Sequence, residues 1–93
     1  MNIYFMHNEE NEGLYVIAVT RKSAKKIYSH NANNINSFID IRGHKVISNV
    51  PEKYEGVIDL GNPKLRKYDL HYYDEEGKEI PYIDYTSNKG DKI

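Results

Sequence analysis

The sequence contains no cysteine and no tryptophan, and only three of its 93 residues are proline. Without cysteine the chain can form neither a disulfide framework nor a cysteine-based zinc site, which is typical of a reducing compartment. The longest apolar run, Leu14 to Val19, is far too short to span a bilayer. The N-terminus lacks a basic segment followed by an apolar stretch, so we expect no signal peptide and a cytoplasmic location.

The chain also lacks an excess of charge of either sign, since its formal net charge is -1 at pH 7. Near neutrality argues against wholesale electrostatic binding to nucleic acid. Residues 1–50 carry slightly more basic than acidic side chains, whereas residues 51–93 carry more acidic than basic ones. This small asymmetry indicates separate basic and acidic patches.

What is present is organised around residues 14–28, LYVIAVTRKSAKKIY, which we interpret as a strand followed directly by a helix. Residues 14–19 are mainly β-branched and aromatic, and they contain no glycine or proline. A short run that is apolar on both faces predicts a buried central strand. Residues 2–7 predict another strand before it, joined to it by the polar loop 8–13 as a hairpin.

The helix is predicted from its cap and from the spacing of its apolar residues. Thr20 supplies an N-cap hydroxyl, and Ala24, Ile27 and Tyr28 recur at the spacing of one helix face. The asparagine-rich segment 31–36 should end the helix, because asparagine favours caps and turns over helix interiors.

Further strands are predicted after the helix. Residues 38–47 begin with alternating apolar and charged side chains and predict a third strand, bent or split at Gly43. The apolar patch at residues 57–60 predicts either a short strand or an anchoring segment.

The last third of the chain predicts one helical turn and a hairpin. Asn62 can cap a helix and Pro63 suits its first position, which predicts a helical turn at residues 64–68. Residues 70–85 predict a hairpin with an acidic tip, in which Pro81 places the second strand at a sheet edge.

The length and the element order together predict the fold class. Ninety-three residues correspond to one domain, which we place at residues 1–85, followed by a flexible tail at residues 86–93. The order β-β-α-β, a short helical turn, then β-β predicts an α+β fold. We expect a single antiparallel-type sheet with one main helix packed on one face.

The sequence carries no catalytic or cofactor-binding motif, so we expect neither an enzyme nor a bound cofactor. It contains no nucleophile elbow, no glycine-rich phosphate loop and no metalloprotease motif. His7, His44 and His71 could hold a metal ion if their strands were neighbours, but scattered surface histidines explain the spacing better. Residues 74–76 lack the spacing of a calcium loop and are more typical of a solvated turn.

Two candidate surfaces for a macromolecular partner remain. A tyrosine-rich acidic hairpin would suit a basic protein partner, and its residues are Tyr72, Asp74, Glu75, Glu76, Tyr82 and Tyr85. A basic helix would suit nucleic acid, especially with Tyr4, Tyr15 or Tyr28 nearby, and its residues are Arg21, Lys22, Lys25, Lys26 and Arg42. Tyrosines paired across strands and a solvated helix face are the ordinary structural explanations of these two patterns.

Three segments carry a combined pattern: VIAVTRKSAKKIY, FIDIRGHKV and GNPKLRKYDLHYYDEEGKEI. The pattern resembles small uncharacterised proteins encoded by phages and prophages of Gram-positive bacteria, over residues 14–47 and 61–80. These proteins share a V-x-A-x-T-R strand before a helix, an F-x-D-I-R strand and a D-E-x-G turn, and they have no established catalytic residues to transfer to this chain. The resemblance implies an accessory protein that binds and inhibits a host protein, including defence nucleases of the CRISPR type.

Overall fold

The apolar run that follows Gly13 forms an inner strand of a four-stranded sheet in the computed structural model, which describes residues 1–8, 13–31 and 41–82. The chain divides into two units, Met1–Ile58 and Asp59–Ile93. The first unit contains, in chain order, β1 (Asn2–His7), β2 (Leu14–Ala18), α1 (Arg21–Asn31), β3 (Arg42–Ile47) and β4 (Gly56–Ile58). The described part of the second unit contains α2 (Pro63–Lys67).

The sheet is antiparallel throughout and has the strand order β3-β1-β2-β4. β1 and β2 form the predicted hairpin, with Ile3 opposite Ile17 and Tyr4 opposite Val16. β2 has a partner on each side, which confirms that it is a central strand. The predicted α+β class, with one antiparallel sheet and one main helix, is confirmed.

Helix α1 begins and ends where its polar residues predict. The Thr20 hydroxyl oxygen accepts a hydrogen bond from the Ser23 amide at 3.2 Å, so Thr20 is the N-cap. At the other end the Asn31 side-chain amide donates to the Ile27 carbonyl at 3.0 Å. Neither α1 nor the other described helix is long and apolar enough to cross a membrane.

One face of α1 packs against the sheet through a small apolar core. Ala24 and Tyr28 are fully buried, and Ile27 packs against them from a half-buried position. The buried core cluster of α1, β1 and β2, with one residue that precedes β3, consists of Tyr4, Met6, Val16, Ala18, Ala24, Tyr28 and Ile41. An 11-residue helix is marginal by itself, so this packing is what stabilises α1.

Strand β3 begins later than predicted and is not split at Gly43. It begins at Arg42, whereas residues 38–40 of the predicted strand lie outside the described residues. The pairing of β3 with β1 continues through Gly43, and the register shift falls between Ile3 and Tyr4, so the strand is not split at Gly43. Gly43 instead lies opposite Met6, where a Cβ atom would overlap the Met6 sulfur.

The structure distinguishes between the two alternatives for residues 57–60, and it contains the predicted helical turn. Residues 56–58 form β4, which pairs with β2. The Asn62 side-chain oxygen accepts a hydrogen bond from the Lys64 amide at 2.9 Å, with Pro63 as the first helical residue. α2 ends at Lys67, and its buried residue is Leu65.

The strands predicted for residues 70–85 do not form in the described part of that segment. Among residues 70–82, one bridge joins the two arms, between Tyr73 and Glu79. Pro81 has no amide proton, so it cannot extend the ladder in the second arm. Residues 83–85, and the tail predicted at residues 86–93, lie outside the described residues.

The phenol of Tyr28 is fully buried, and this burial makes the stability of the fold depend on pH. Burial raises the pKa of Tyr28, while a hydrogen bond from the Asn8 backbone partly offsets this shift. The folded state therefore holds the phenol proton to a higher pH than the unfolded state, which loses it near pH 10. It follows that the stability linked to this proton is present below about pH 10 and is lost as the pH rises further.

We expect Tyr28→Phe to lower the free energy of unfolding by about 1 kcal/mol at neutral pH, because one buried hydrogen bond is lost. Between about pH 9 and 11 the variant should lose less stability than the native protein, because it lacks the titrating group. Urea denaturation at several pH values measures both effects, with the exposed Tyr73→Phe as the control. An equal loss of stability in the native protein and in Tyr28→Phe would contradict this assignment.

Candidate partner-binding site

Residues 73–79, YDEEGKE, form an exposed acidic turn in the second unit. Every residue of this acidic turn is solvent-exposed, including the aromatic ring of Tyr73, which is 55% exposed. The segment contains four carboxylates and one lysine. It therefore presents concentrated negative charge next to a ring.

Backbone hydrogen bonds fix the shape of the acidic turn. The Asp74 amide donates to the Lys78 carbonyl at 2.8 Å, and the Gly77 amide donates to the Asp74 carbonyl at 3.0 Å. Below them the Ile80 amide donates to the Tyr72 carbonyl at 2.8 Å. Gly77 has a φ of 82°, a left-handed conformation that glycine adopts without steric cost.

The Asp74 side chain is part of this scaffold. Its Oδ1 atom accepts hydrogen bonds from the Glu76 and Lys78 amides, both at 2.9 Å. Such a side-chain cap on nearby backbone amides is a common role of Asp in turns. Asp74 thus orders the loop, while the carboxylates of Glu75 and Glu76 are exposed at its tip.

A histidine at the base of the acidic turn holds the second arm. The His71 Nε2 atom lies 3.0 Å from Asp69 Oδ1 and 3.2 Å from the Tyr82 hydroxyl. Its Nδ1 atom contacts the carboxylate of Glu79. Both ring nitrogens of His71 therefore face carboxylates at the base of the acidic turn.

Tyr82 packs within this base. Its ring stacks on His71 with the ring centroids 5.1 Å apart, and the Arg66 guanidinium lies 5.1 Å from the Tyr82 ring centroid. Such a cation over an aromatic face is attracted by the ring quadrupole. The half-buried Tyr82 ring therefore supports the acidic turn from within the second unit.

The structure places the hairpin residues in different environments. Glu75 and Glu76 are exposed at the tip, Tyr72 is half-buried, and Tyr85 lies outside the described residues. Sequence reasoning missed Tyr73, which is the exposed ring. In an extended chain, adjacent side chains point to opposite sides. The sequence therefore indicates that Tyr72 and Tyr73 point in opposite directions, which is part of the information needed to identify the exposed ring.

The basic residues do not all lie together. Arg21, Lys22 and Lys26 are exposed on α1, and Lys25 is half-buried. The Arg21 Nε atom donates to the Gly43 carbonyl at 3.1 Å, so that side chain links α1 to β3.

Arg42 lies on the face of the sheet away from α1. It is opposite His7 in the β1–β3 register, whereas the adjacent Gly43 is opposite the core residue Met6. Tyr4 and Tyr28, two of the rings considered for stacking beside the basic helix, are buried in the core. The helix therefore presents basic charge without these rings.

The histidines are distributed over both units. His7 and His44 lie on the neighbouring strands β1 and β3, His30 lies in the last turn of α1, and His71 lies in the second unit. Across residues 1–8, 13–31 and 41–82, no three His, Asp or Glu side chains are placed to hold a metal ion.

Comparison with protein-family models, curated proteins and solved structures gives no match to this chain.

Asp74→Ala should loosen the acidic turn, because the Glu76 and Lys78 amides lose their shared acceptor. A lost hydrogen bond to a charged group costs about 1.5–3 kcal/mol. We therefore expect amide hydrogen exchange at Glu76 and Lys78 to become roughly tenfold faster or more. Nuclear magnetic resonance measures this exchange for each residue.

Two further variants serve as controls for Asp74→Ala. Asp74→Asn retains a side-chain oxygen as acceptor and should restore most of the protection. Glu75→Ala removes a neighbouring carboxylate for which no structural hydrogen bond is described, and it should leave the exchange unchanged. Unchanged exchange in Asp74→Ala would show that the side chain does not order the turn.

Proposed function

We propose that this chain is a non-enzymatic binding protein that presents its acidic turn to a basic surface of a protein partner. The observation that carries the proposal is a loop whose residues are all exposed and whose shape is held by backbone and Asp74 hydrogen bonds. A loop that is ordered before binding loses less conformational entropy when its partner binds.

The chemistry of the acidic turn favours a positively charged partner. Clustered carboxylates steer a basic surface toward the loop and raise the association rate, an effect that salt weakens. Tyr73 supplies an exposed ring beside them, and tyrosine is one of the residues that contribute most to interface energies. The pair of features suits an interface with a central ring and a charged rim.

The resemblance to phage and prophage proteins supports a host protein as the partner, in the cytoplasm of an infected bacterium. Nucleases of bacterial defence, including those of the CRISPR type, hold nucleic acid in positively charged channels. An exposed loop with several carboxylates fits such a channel by charge. We therefore propose inhibition of a host defence protein as the biological role.

Nucleic-acid binding through α1 is the second candidate function. Lys22 and Lys26 are exposed and lie four residues apart, which places them on one side of the helix. The first turn of α1 contains no acidic residue, so the positive end of the helix is not neutralised locally. This candidate predicts an affinity that falls steeply as salt rises.

A capture experiment with matched charge reversals tests the proposed function. The tagged chain is incubated with a lysate of a Gram-positive bacterium, with and without nuclease, and bound proteins are identified by mass spectrometry. We expect a stoichiometric protein partner that survives nuclease treatment and is lost with Glu75→Lys/Glu76→Lys. The control Lys22→Glu/Lys26→Glu should retain that partner.

The rate at which the captured partner associates with each variant then distinguishes a loss of electrostatic steering from a folding defect. The Glu75→Lys/Glu76→Lys variant should associate about tenfold more slowly at low salt, and the difference should shrink as salt rises. Equal capture by both charge-reversed variants would contradict the proposal. Capture that disappears after nuclease treatment and in Lys22→Glu/Lys26→Glu would favour the second candidate.

A further inference from the structure

The face of the sheet away from α1 carries a cluster of four rings at the end where β1 stops and β2 and β3 begin. Phe5 is at its centre, and the ring centroid of Tyr15 lies 5.1 Å away with an interplanar angle of 59°. The His7 and His44 ring centroids lie 5.8 and 6.3 Å from that of Phe5. We call these four residues the ring cluster.

The pairing of the strands explains why these rings share one face. Phe5 is opposite Tyr15 on β2 and opposite His44 on β3, and residues opposite each other point to the same side. His7 follows Phe5 by two residues along β1, so it also points that way. The intervening residue, Met6, points into the core with α1.

Gly13 holds the central ring in place. A Cβ atom at Gly13 would overlap the ring of Phe5, so this ring lies directly over the glycine backbone. A glycine in such a position permits close approach of another group to the chain. The Phe5 ring is therefore positioned by contacts on more than one side.

Arg42 carries the one permanent charge among the described strand residues that register assigns to this face. Arg42 is opposite His7, and both Arg42 and His44 are exposed, while the Phe5, His7 and Tyr15 side chains are half-buried. None of the described strand residues assigned to this face by register is acidic: Ile3, Phe5, His7, Tyr15, Ile17, Arg42, His44, Ile47, Gly56 and Ile58. Of these residues, Ile3, Ile17 and Ile58 are buried, whereas Arg42 and the members of the ring cluster are at least partly exposed.

We propose that the ring cluster with Arg42 binds single-stranded nucleic acid. Partly exposed aromatic rings on neighbouring strands offer stacking platforms for unpaired bases, and stacking tolerates any base sequence. Arg42 supplies a donor for phosphate at the rim of the same face. This site is distinct from the basic side of α1, and it does not depend on the acidic turn.

The test is fluorescence anisotropy with a labelled oligothymidylate of about 15 nucleotides, a length that covers a typical single-strand site. The native protein should bind it with salt-dependent affinity, and a duplex of equal length should compete poorly because its bases are stacked. Arg42→Glu should weaken binding about tenfold and reduce the slope of log affinity against log salt by roughly one. His44→Ala should weaken binding roughly tenfold through lost stacking.

The control is Lys53→Glu, which reverses an exposed charge outside both candidate nucleic-acid surfaces and should alter affinity less than about twofold. The variant Lys22→Glu/Lys26→Glu tests the competing surface on α1. Arg42 and His44 are exposed, so their variants should keep the fold, and circular dichroism verifies this. Absence of binding at low salt would overturn the proposal. So would equal competition by duplex, or loss of binding in the α1 variant with Arg42→Glu and His44→Ala unaffected.

Discussion

The packing of Tyr28 against the sheet is the contact on which the first unit depends. Helix α1 has 11 residues and a narrow apolar face, so it needs a large buried anchor to stay folded. Tyr28 provides this anchor, and its hydroxyl reaches the Asn8 backbone at the end of β1. One side chain therefore joins the helix both to the core and to the connection after the first strand.

Helix α1 packs on one face of the sheet. Because side chains alternate between the two faces along β1 and β2, the other face presents a different set of residues. On β1, Tyr4 and Met6 enter the core, whereas Phe5 and His7 join the ring cluster. The second unit obtains its candidate site differently, since the acidic turn is ordered by hydrogen bonds and is not buried. The chain thus presents one surface shaped by strand register and another shaped by turn chemistry.

The features that follow from local physics were predictable from sequence. The cap at Thr20, the helix face of α1 and the Asn62–Pro63 start of α2 all depend on neighbouring residues. The alternation of Ile41 and Arg42 predicted that they lie on opposite faces of β3. That Arg42 lies opposite His7 was not predictable, because strand pairing joins residues that are far apart in the chain. The tyrosine-rich arms at residues 70–82 predicted strands, but a single bridge pair forms there in the described residues.

The central claim is that the chain acts through a preformed acidic turn that binds a protein. Hydrogen–deuterium exchange of the chain, alone and in complex with its captured protein partner, tests this claim most directly. The account predicts new protection of the backbone amides at residues 73–79 and unchanged exchange at residues 21–31. Protection confined to residues 21–31, with residues 73–79 exchanging as in the free chain, would contradict it.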